Sequence, residues 1–127
     1  MRWIPVDVSR ITFLGTGKTA PVAEYVELSN GERRRSGNQA HDLNEDGSKG
    51  APLWVADVMV IDPDNPRAEI VGVKVASWDE PKTDVGKPVN FRNLRCMGYV
   101  AQGTNRVAYT FRADGLEGQG QSAQKAA

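Results

Sequence analysis

Hydrophobic and polar residues alternate along much of the chain in a pattern that predicts β-strands. Residues 53–61 form a β-branched, apolar run that is preceded by a proline and followed by Asp62-Pro63. Short runs of this kind between turn-forming residues favour a strand over a helix. Residues 69–78 alternate cleanly, with three valines on one predicted face. We expect the two segments to pair as a central hairpin across the proline-rich turn of residues 62–66.

Four further segments are patterned as strands: residues 4–14, 22–28, 89–101 and 106–112. The first two are separated by Gly15-Thr16-Gly17-Lys18-Thr19, for which a hairpin turn is the expected structure. These five residues also resemble the end of a phosphate-binding loop. However, that motif requires a glycine where Thr12 stands and a helix after it, so no phosphate-binding loop is predicted.

Two regions lack the strand pattern. Residues 29–51 contain an arginine triplet and almost no apolar side chains, which predicts a long loop that is either functional or mobile. Residues 115–127 are rich in Gly, Gln and Ala and have no aromatic residue, which predicts a disordered tail. We therefore expect one domain over residues 1–113 and a flexible C-terminal tail over residues 114–127.

The number and spacing of the strands predict an all-β fold with little helix. A chain of 127 residues with 39% hydrophobic and 25% charged residues suits one globular domain. Five or six strands, a long loop between the first two barrel strands and no helix layer favour a small, closed or partly closed barrel. An OB-like barrel of five to six strands is the leading expectation.

Candidate chemistry is sparse. The single cysteine, Cys96, excludes an intramolecular disulfide, and the single histidine, His41, leaves too few ligands for a Cys/His zinc site. Residues 42–47 match the first half of an EF-hand loop, but its twelfth position is Leu53 rather than a glutamate. No Ser or Cys nucleophile can be assigned to His41. We expect no enzymatic activity, no metal and no cofactor.

The sequence also predicts a cytoplasmic protein without a membrane partner. Its N-terminus lacks the apolar run of a signal peptide. No stretch approaches the roughly 20 apolar residues of a membrane helix.

Charge is segregated along the chain even though the formal net charge is zero. Residues 36–84 carry ten acidic and four basic side chains, whereas residues 85–113 carry five basic side chains and no acid. Ten of the sixteen basic residues are arginines, which pair with phosphates and stack on bases. This distribution predicts a local basic surface.

Aromatic residues are interleaved with the basic ones, and this combination is typical of single-strand binding. Cations neutralise the phosphate backbone, while exposed rings stack on unpaired bases. We expect the arginine triplet to lie on a loop that closes over the strand, other cations to contact phosphates, and two tryptophans to stack. The predicted nucleic-acid-binding residues are Arg33, Arg34, Arg35, Trp54, Lys74, Trp78, Arg92, Arg95, Arg106 and Arg112.

The same residues also fit a purely structural interpretation. Basic residues that alternate along a strand are common on the solvated face of a barrel. Trp54 is predicted on the face of Ala56 and Val58, which is a candidate core face, and Trp78 shares its face with Lys74. Whether each tryptophan is exposed or buried stays open at this level.

A family resemblance rests on three stretches: Gly50-Ala51-Pro52-Leu53-Trp54-Val55-Ala56-Asp57-Val58, the valine-rich strand after it, and Gly86-Lys87-Pro88-Val89 before a basic strand. Over roughly residues 4–112 the chain resembles small OB-fold single-stranded-DNA-binding proteins of actinobacterial plasmids and integrative conjugative elements. It is more distantly similar to the filamentous-phage type. The resemblance implies a homodimer or higher homo-oligomer that coats displaced strands during replication or transfer.

The functional expectation is therefore sequence-independent binding of single-stranded DNA. Two alternatives accompany it. RNA is the alternative single-stranded ligand. A structural β-barrel module of a phage or secretion assembly, which binds protein rather than nucleic acid, is the alternative function.

Overall fold

The structure is a computed structural model that describes residues 2–100, 103 and 106–117. These residues form no helix, which confirms the predicted all-β class. The strands are β1 (Ile4–Pro5), β2 (Thr12–Pro21), β3 (Ala23–Glu27), β4 (Arg33–Gln39), β5 (His41–Leu43), β6 (Lys49–Ile61), β7 (Glu69–Ala76), β8 (Phe91–Arg92), β9 (Arg95–Val100), β10 (Val107–Ala113) and β11 (Gly115–Leu116). In this part of the chain, no helix could cross a membrane.

Most strands belong to one mixed sheet of seven strands. Its order is β1-β9-β10-β7-β6-β2, and β5 pairs with β6 beside this path. The β7–β10 pair is parallel, with Phe111 opposite Val73, and the other pairs in the sheet are antiparallel. The sheet does not close into a barrel, so the OB-like barrel stays a prediction. Two small sheets complete the described fold, β3 with β4 and β8 with β11.

The predicted central hairpin is confirmed. Strands β6 and β7 pair from Leu53 opposite Ala76 to Val60 opposite Glu69. The alternation places Val58, Val73 and Val75 on the inner face, where each is at most 1% exposed. Full burial of a valine side chain stabilises the fold by about 1.5–3 kcal/mol, so this hairpin anchors the core.

The glycine-rich segment between residues 15 and 19 is part of β2, so the predicted hairpin turn there is wrong. The pairing of β2 with β6 shifts register between Gly15 and Thr19. The loop of residues 79–88 lies over this irregularity, and the Gly17 amide donates to Thr83 Oγ1 at 3.0 Å. A Cβ on Gly15 would lie 2.5 Å from the Asp84 carbonyl oxygen. Glycine is needed here for the close approach of another backbone within a strand.

The predicted long loop over residues 29–51 is also wrong. This stretch contains β4, β5 and the first residues of β6. Strand β4 pairs with β3 in a two-stranded sheet, hereafter the ribbon (Ala23–Gln39). Since most side chains of the ribbon are exposed, it has no buried face that would require apolar alternation. Hydrophobic patterning therefore predicted β3, as residues 22–28, but not β4, which carries the arginine triplet.

Two long predicted strands are interrupted. Asn93 has a φ of 52° and separates β8 from β9 within residues 89–101. Asparagine adopts this left-handed conformation more readily than most residues. Residues 4–14 are divided between β1 and the start of β2. Most of the predicted turn at residues 103–105 lies outside the described residues.

The predicted tail begins with ordered residues. Gly115 and Leu116 form β11, pair with β8 and are buried. Leu116 belongs to the same core cluster as Phe13 and Val89. These two residues therefore belong to the folded part of the chain. Residues 118–127 lie outside the described residues, and the flexible tail stays a prediction.

Candidate nucleic-acid interface

The ribbon carries the arginine triplet on a strand rather than on the predicted loop. Arg33 lies opposite Glu27, Arg34 opposite Val26 and Arg35 opposite Tyr25. Because cross-strand partners share a face, Arg33 and Arg35 lie on one face of the ribbon and Arg34 on the other. All three arginines are exposed. Tyr25, which sequence reasoning did not select, is 49% exposed beside them.

The charges on the ribbon are balanced in number but not joined in ion pairs. Glu24, Glu27 and Glu32 equal the three arginines in number. None of the ion pairs between described residues includes an arginine of the triplet. Arg35 Nε instead donates to Tyr25 Oη at 3.4 Å, which raises the pKa of the guanidinium. The triplet is therefore charged and accessible to a polyanion.

The ribbon is rooted at one end of the central hairpin. The Val22 amide donates to the Leu53 carbonyl at 3.0 Å, and Gln39 Nε2 donates to the same oxygen at 2.7 Å. At the end of β2, Pro21 lies opposite Trp54 of β6. These contacts place the base of the ribbon beside the first tryptophan predicted to stack.

Both predicted stacking tryptophans lie at this end of the hairpin, but they differ in exposure. Trp54 is half-buried, and its Nε1 donates to the Ser77 carbonyl at 2.8 Å. This bond satisfies the indole N–H, as is usual for a buried tryptophan. Trp78 follows directly in sequence and is 54% exposed. Trp78 is therefore accessible for stacking, whereas the ring of Trp54 is half-buried and held in place by its hydrogen bond.

Three predicted cations form one row across the sheet. Lys74 of β7 lies opposite Arg112 of β10, and Arg112 lies opposite Arg95 of β9. Adjacent strands are about 4.8 Å apart, so the three side chains emerge from neighbouring backbone positions on one face. The structure therefore brings these predicted phosphate contacts together.

Two members of this row are already neutralised. Arg112 Nη2 lies 2.6 Å from Asp42 Oδ1, and Arg95 Nη1 lies 2.9 Å from Asp114 Oδ1. Their side chains are only 20% and 21% exposed, respectively. The Arg95 guanidinium also lies 5.9 Å from the centre of the Trp3 ring. Arg95 and Arg112 are therefore engaged with carboxylates in the free protein, and their predicted phosphate contacts stay a prediction. Of the three, Lys74 is the exposed one, and it forms no ion pair with a described residue.

The environment of Asp114 shows how firmly the Arg95 pair is held. Partial burial disfavours the charged carboxylate, but hydrogen bonds from Asn93 and Arg95 and the charges of Arg95 and Arg112 outweigh it. Together they lower the pKa of Asp114 below its ordinary value. Asp114 therefore stays ionised as a partner of Arg95 down to acidic pH.

The remaining predicted cations lie elsewhere. Arg92 of β8 is half-buried opposite Gly115, and its guanidinium occupies the space that a side chain at Gly115 would need. Arg106 precedes β10 and is six residues from Arg112, or about 20 Å along an extended strand. The ten predicted residues are consequently not all neighbours in the fold.

The positions that do lie at one end of the hairpin define a smaller candidate site, hereafter the ribbon-end surface. It comprises Tyr25, Arg33, Arg34, Arg35, Trp54 and Trp78. Lys74 lies opposite Val55, on the other face of the hairpin from Trp54, and is not part of it. Within the described ranges, no group of three or more His, Cys, Asp and Glu residues is arranged to hold a metal ion.

Comparisons with protein families, with curated proteins and with solved structures found no match for this chain.

Proposed function

We propose that the protein binds single-stranded DNA with little sequence preference through the ribbon-end surface. The observation that carries the proposal is an exposed ribbon whose three arginines form no ion pair with a described residue and whose base lies at the same end of the hairpin as two indole rings. Arginines on an extended ribbon can follow a phosphate backbone and release its counterions. Each base stacked on an exposed aromatic ring contributes about 1–3 kcal/mol, whatever its identity. A duplex hides its base faces and therefore binds less well.

The order of the long strands supports an OB-like arrangement. Within the main sheet, β2, β6, β7, β9 and β10 are the first to fifth long strands in chain order, and across the sheet they follow the order first, second, third, fifth, fourth. OB-folds bind nucleic acid on the face of their second and third strands and through the loops after the first and fourth strands. Here those strands are β6 and β7, and the ribbon occupies the connection after the first long strand.

The biological setting of the proposal is that of the resembled proteins. The protein would act in the cytoplasm as a non-enzymatic homo-oligomer that coats displaced strands during plasmid or mobile-element replication or transfer. RNA is the competing ligand, because stacking and phosphate contacts do not themselves distinguish the two sugars.

Fluorescence anisotropy with labelled dT20, U20 and a 20-base-pair duplex tests the proposal. We expect tighter binding of dT20 than of duplex, an affinity that falls as salt rises, and quenching of tryptophan fluorescence. The Arg34→Gln variant should weaken binding, whereas Arg67→Gln, at an exposed position in the β6–β7 turn, should not. Lack of dT20 binding at about 50 mM salt would refute the function.

The turn end of the β9–β10 hairpin, away from Arg95 and Arg112, favours the second candidate function, a structural module that binds protein. Val100, Val107 and Tyr109 share one face there and are 59%, 60% and 61% exposed, respectively. Clustered apolar side chains on a surface are typical of protein contacts. Sedimentation of the wild-type chain and of Val100→Glu tests this function. It predicts an assembly that persists at high salt and that the added charge dissociates, whereas a monomer at all concentrations contradicts it.

A further inference from the structure

The base of the ribbon contains a large β-bulge. Ala23 pairs with Gln39 and Tyr25 pairs with Arg35, so residues 36–38 of β4 lie opposite the single residue Glu24 of β3. The Ser36 hydroxyl donates to Glu24 Oε1 at 2.7 Å and accepts the Asn38 amide at 3.1 Å. The bulge is therefore fixed by its own hydrogen bonds. Bulges of this kind are over-represented next to functional sites because they redirect side chains.

The bulge opens a groove of about 420 Å³. Pro21, Val22 and Ala23 line it on one side, and Arg35 and residues 37–39 line it on the other. Gly37 has a φ of 89°, and apart from Gly37 and its two chain neighbours no described residue has an atom within 4 Å of the position that its Cβ would take. The small residues Ala23 and Gly37 thus leave open space between Arg35 and Gln39. This volume lies within the range of small-ligand sites, about 300–1,000 Å³.

The polar groups around the groove are preorganised or unpaired. Gln39 Nε2 is fixed by the Leu53 carbonyl at 2.7 Å, which leaves Gln39 Oε1 as an acceptor. The Asn38 side-chain amide forms no hydrogen bond with another described residue. Arg35 is bonded through Nε to Tyr25, and its terminal nitrogens are without a described partner. An apolar wall, two amides and a cation therefore surround one space.

We propose that this groove is a nucleotide pocket that holds one unpaired nucleobase. The flat apolar base would pack against Pro21, Val22 and Ala23, with its polar edge at the amides of Asn38 and Gln39. Arg35 would pair with the attached phosphate.

The position of the pocket connects it with the rest of the ribbon-end surface. Pro21 lies opposite Trp54, and Tyr25 lies opposite Arg35. A strand that follows the arginine triplet would therefore reach the pocket before it reaches the tryptophans. This inference rests on the proposed function, because it assigns the pocket to one base of a bound single strand. The ligand chemistry is that of a nucleotide, whether it is free or part of a strand.

Amide NMR titrations of the full chain with the four deoxynucleoside monophosphates test the pocket directly. We expect saturable shifts of the Gly37 and Asn38 signals with nucleotides but not with deoxyribose 5-phosphate, which lacks a base. Ala23→Leu should fill the groove without changing any charge and weaken nucleotide binding at least about tenfold. The matched control Ala68→Leu, in the exposed β6–β7 turn at the far end of the hairpin, should bind like the wild type.

A second variant keeps the test decisive if Ala23→Leu fails to fold. Asn38→Ala removes an exposed amide and should weaken nucleotide binding severalfold with the fold intact. Equal shifts with deoxyribose 5-phosphate would show ion pairing alone and overturn the pocket. Unchanged nucleotide binding by folded Ala23→Leu, or by Asn38→Ala if Ala23→Leu does not fold, would also overturn it.

Parallel titrations with dT20 separate the pocket from the proposed function. If dT20 binds wild type and Ala23→Leu equally and no mononucleotide shifts the groove, the pocket is wrong and the function stands. If mononucleotides bind in the groove but dT20 does not bind, single-strand binding is wrong and the ligand is a free nucleotide. If neither binds, both are wrong.

Discussion

The ribbon and the outer face of the main sheet each carry three of the cations that the sequence singles out, yet they present them differently. On the sheet, Arg95 and Arg112 are about four-fifths buried and paired with carboxylates at 2.9 and 2.6 Å. On the ribbon, the arginine triplet is exposed, and none of its members is in an ion pair with a described residue.

This contrast shows that the availability of a charge is a tertiary property. The most basic stretch of sequence, residues 85–113, contains no acid, but its arginines find partners outside it in Asp42 and Asp114. Burial makes such partners necessary, because a buried guanidinium without a counter-ion is strongly destabilising. The ribbon segment contains as many acids as bases, but its exposed side chains are solvated and need no partner.

The largest expected effect is on the free energy of unfolding, to which the main sheet should contribute more than the ribbon. Val73→Ala removes two methyl groups from a position that is fully buried. We expect the free energy of unfolding to fall by about 2–3 kcal/mol. Val26→Ala, on the exposed ribbon, should change it by less than about 0.5 kcal/mol. Urea titrations measure both, and equal losses would show that the ribbon is part of the cooperative core.

The next effect concerns binding. Replacement of Arg33, Arg34 and Arg35 by glutamine should weaken dT20 binding at least about tenfold and reduce the slope of log K against log salt by about 2, since each single-strand phosphate contact contributes about 0.7. The free energy of unfolding should stay within about 0.5 kcal/mol of the wild type. Glutamines at Arg2, Arg10 and Arg67 provide a matched triple control. A similar loss of affinity in that control would indicate non-specific attraction.

A smaller effect tests whether the ion pair with Asp42 keeps Arg112 from contacting DNA. Asp42→Asn removes the carboxylate that neutralises Arg112. The freed guanidinium adds a positive charge beside Lys74, so dT20 binding should tighten about three- to fivefold at low salt. Glu45→Gln, in the adjacent β5–β6 turn, removes an exposed acid and should change affinity less. Weaker binding by Asp42→Asn would contradict this, and would show that the Arg112–Asp42 ion pair is needed to keep the binding surface in place.

The smallest effect is the pH dependence of the Arg95–Asp114 pair. The native pKa of Asp114 is lowered, so the pair contributes stability above the unfolded-state pKa of about 3.9 and loses it as pH falls through the native value. Asp114→Asn should lower the free energy of unfolding at pH 6 by about 1 kcal/mol or less, because the pair is partly exposed. Urea titrations at pH 6 and 2.5 should show that this difference shrinks in acid. A constant difference would assign the effect to packing.

Local alternation predicted the central hairpin and its buried valines, because one face of β6 and β7 must exclude water. It also predicted β3, as residues 22–28, but not β4 of the ribbon, whose exposed side chains carry no such constraint. It also misread Gly15, since the reason for that glycine is a loop about seventy residues away, near Asp84. Of the proposed site, Arg33, Arg34, Arg35 and both tryptophans were also selected from the sequence, and their role in binding stays a prediction. It missed Tyr25 and the carboxylates of Asp42 and Asp114, because only the fold brings these groups beside their partners.

The most direct measurement of the central claim is an NMR titration of the arginine Nε–Hε signals with dT20. The account predicts that the signals of Arg33, Arg34 and Arg35 shift together and saturate, while those of Arg95 and Arg112 stay near their free positions. Shifts confined to Arg95 and Arg112, or no saturable shift of the triplet, would contradict it.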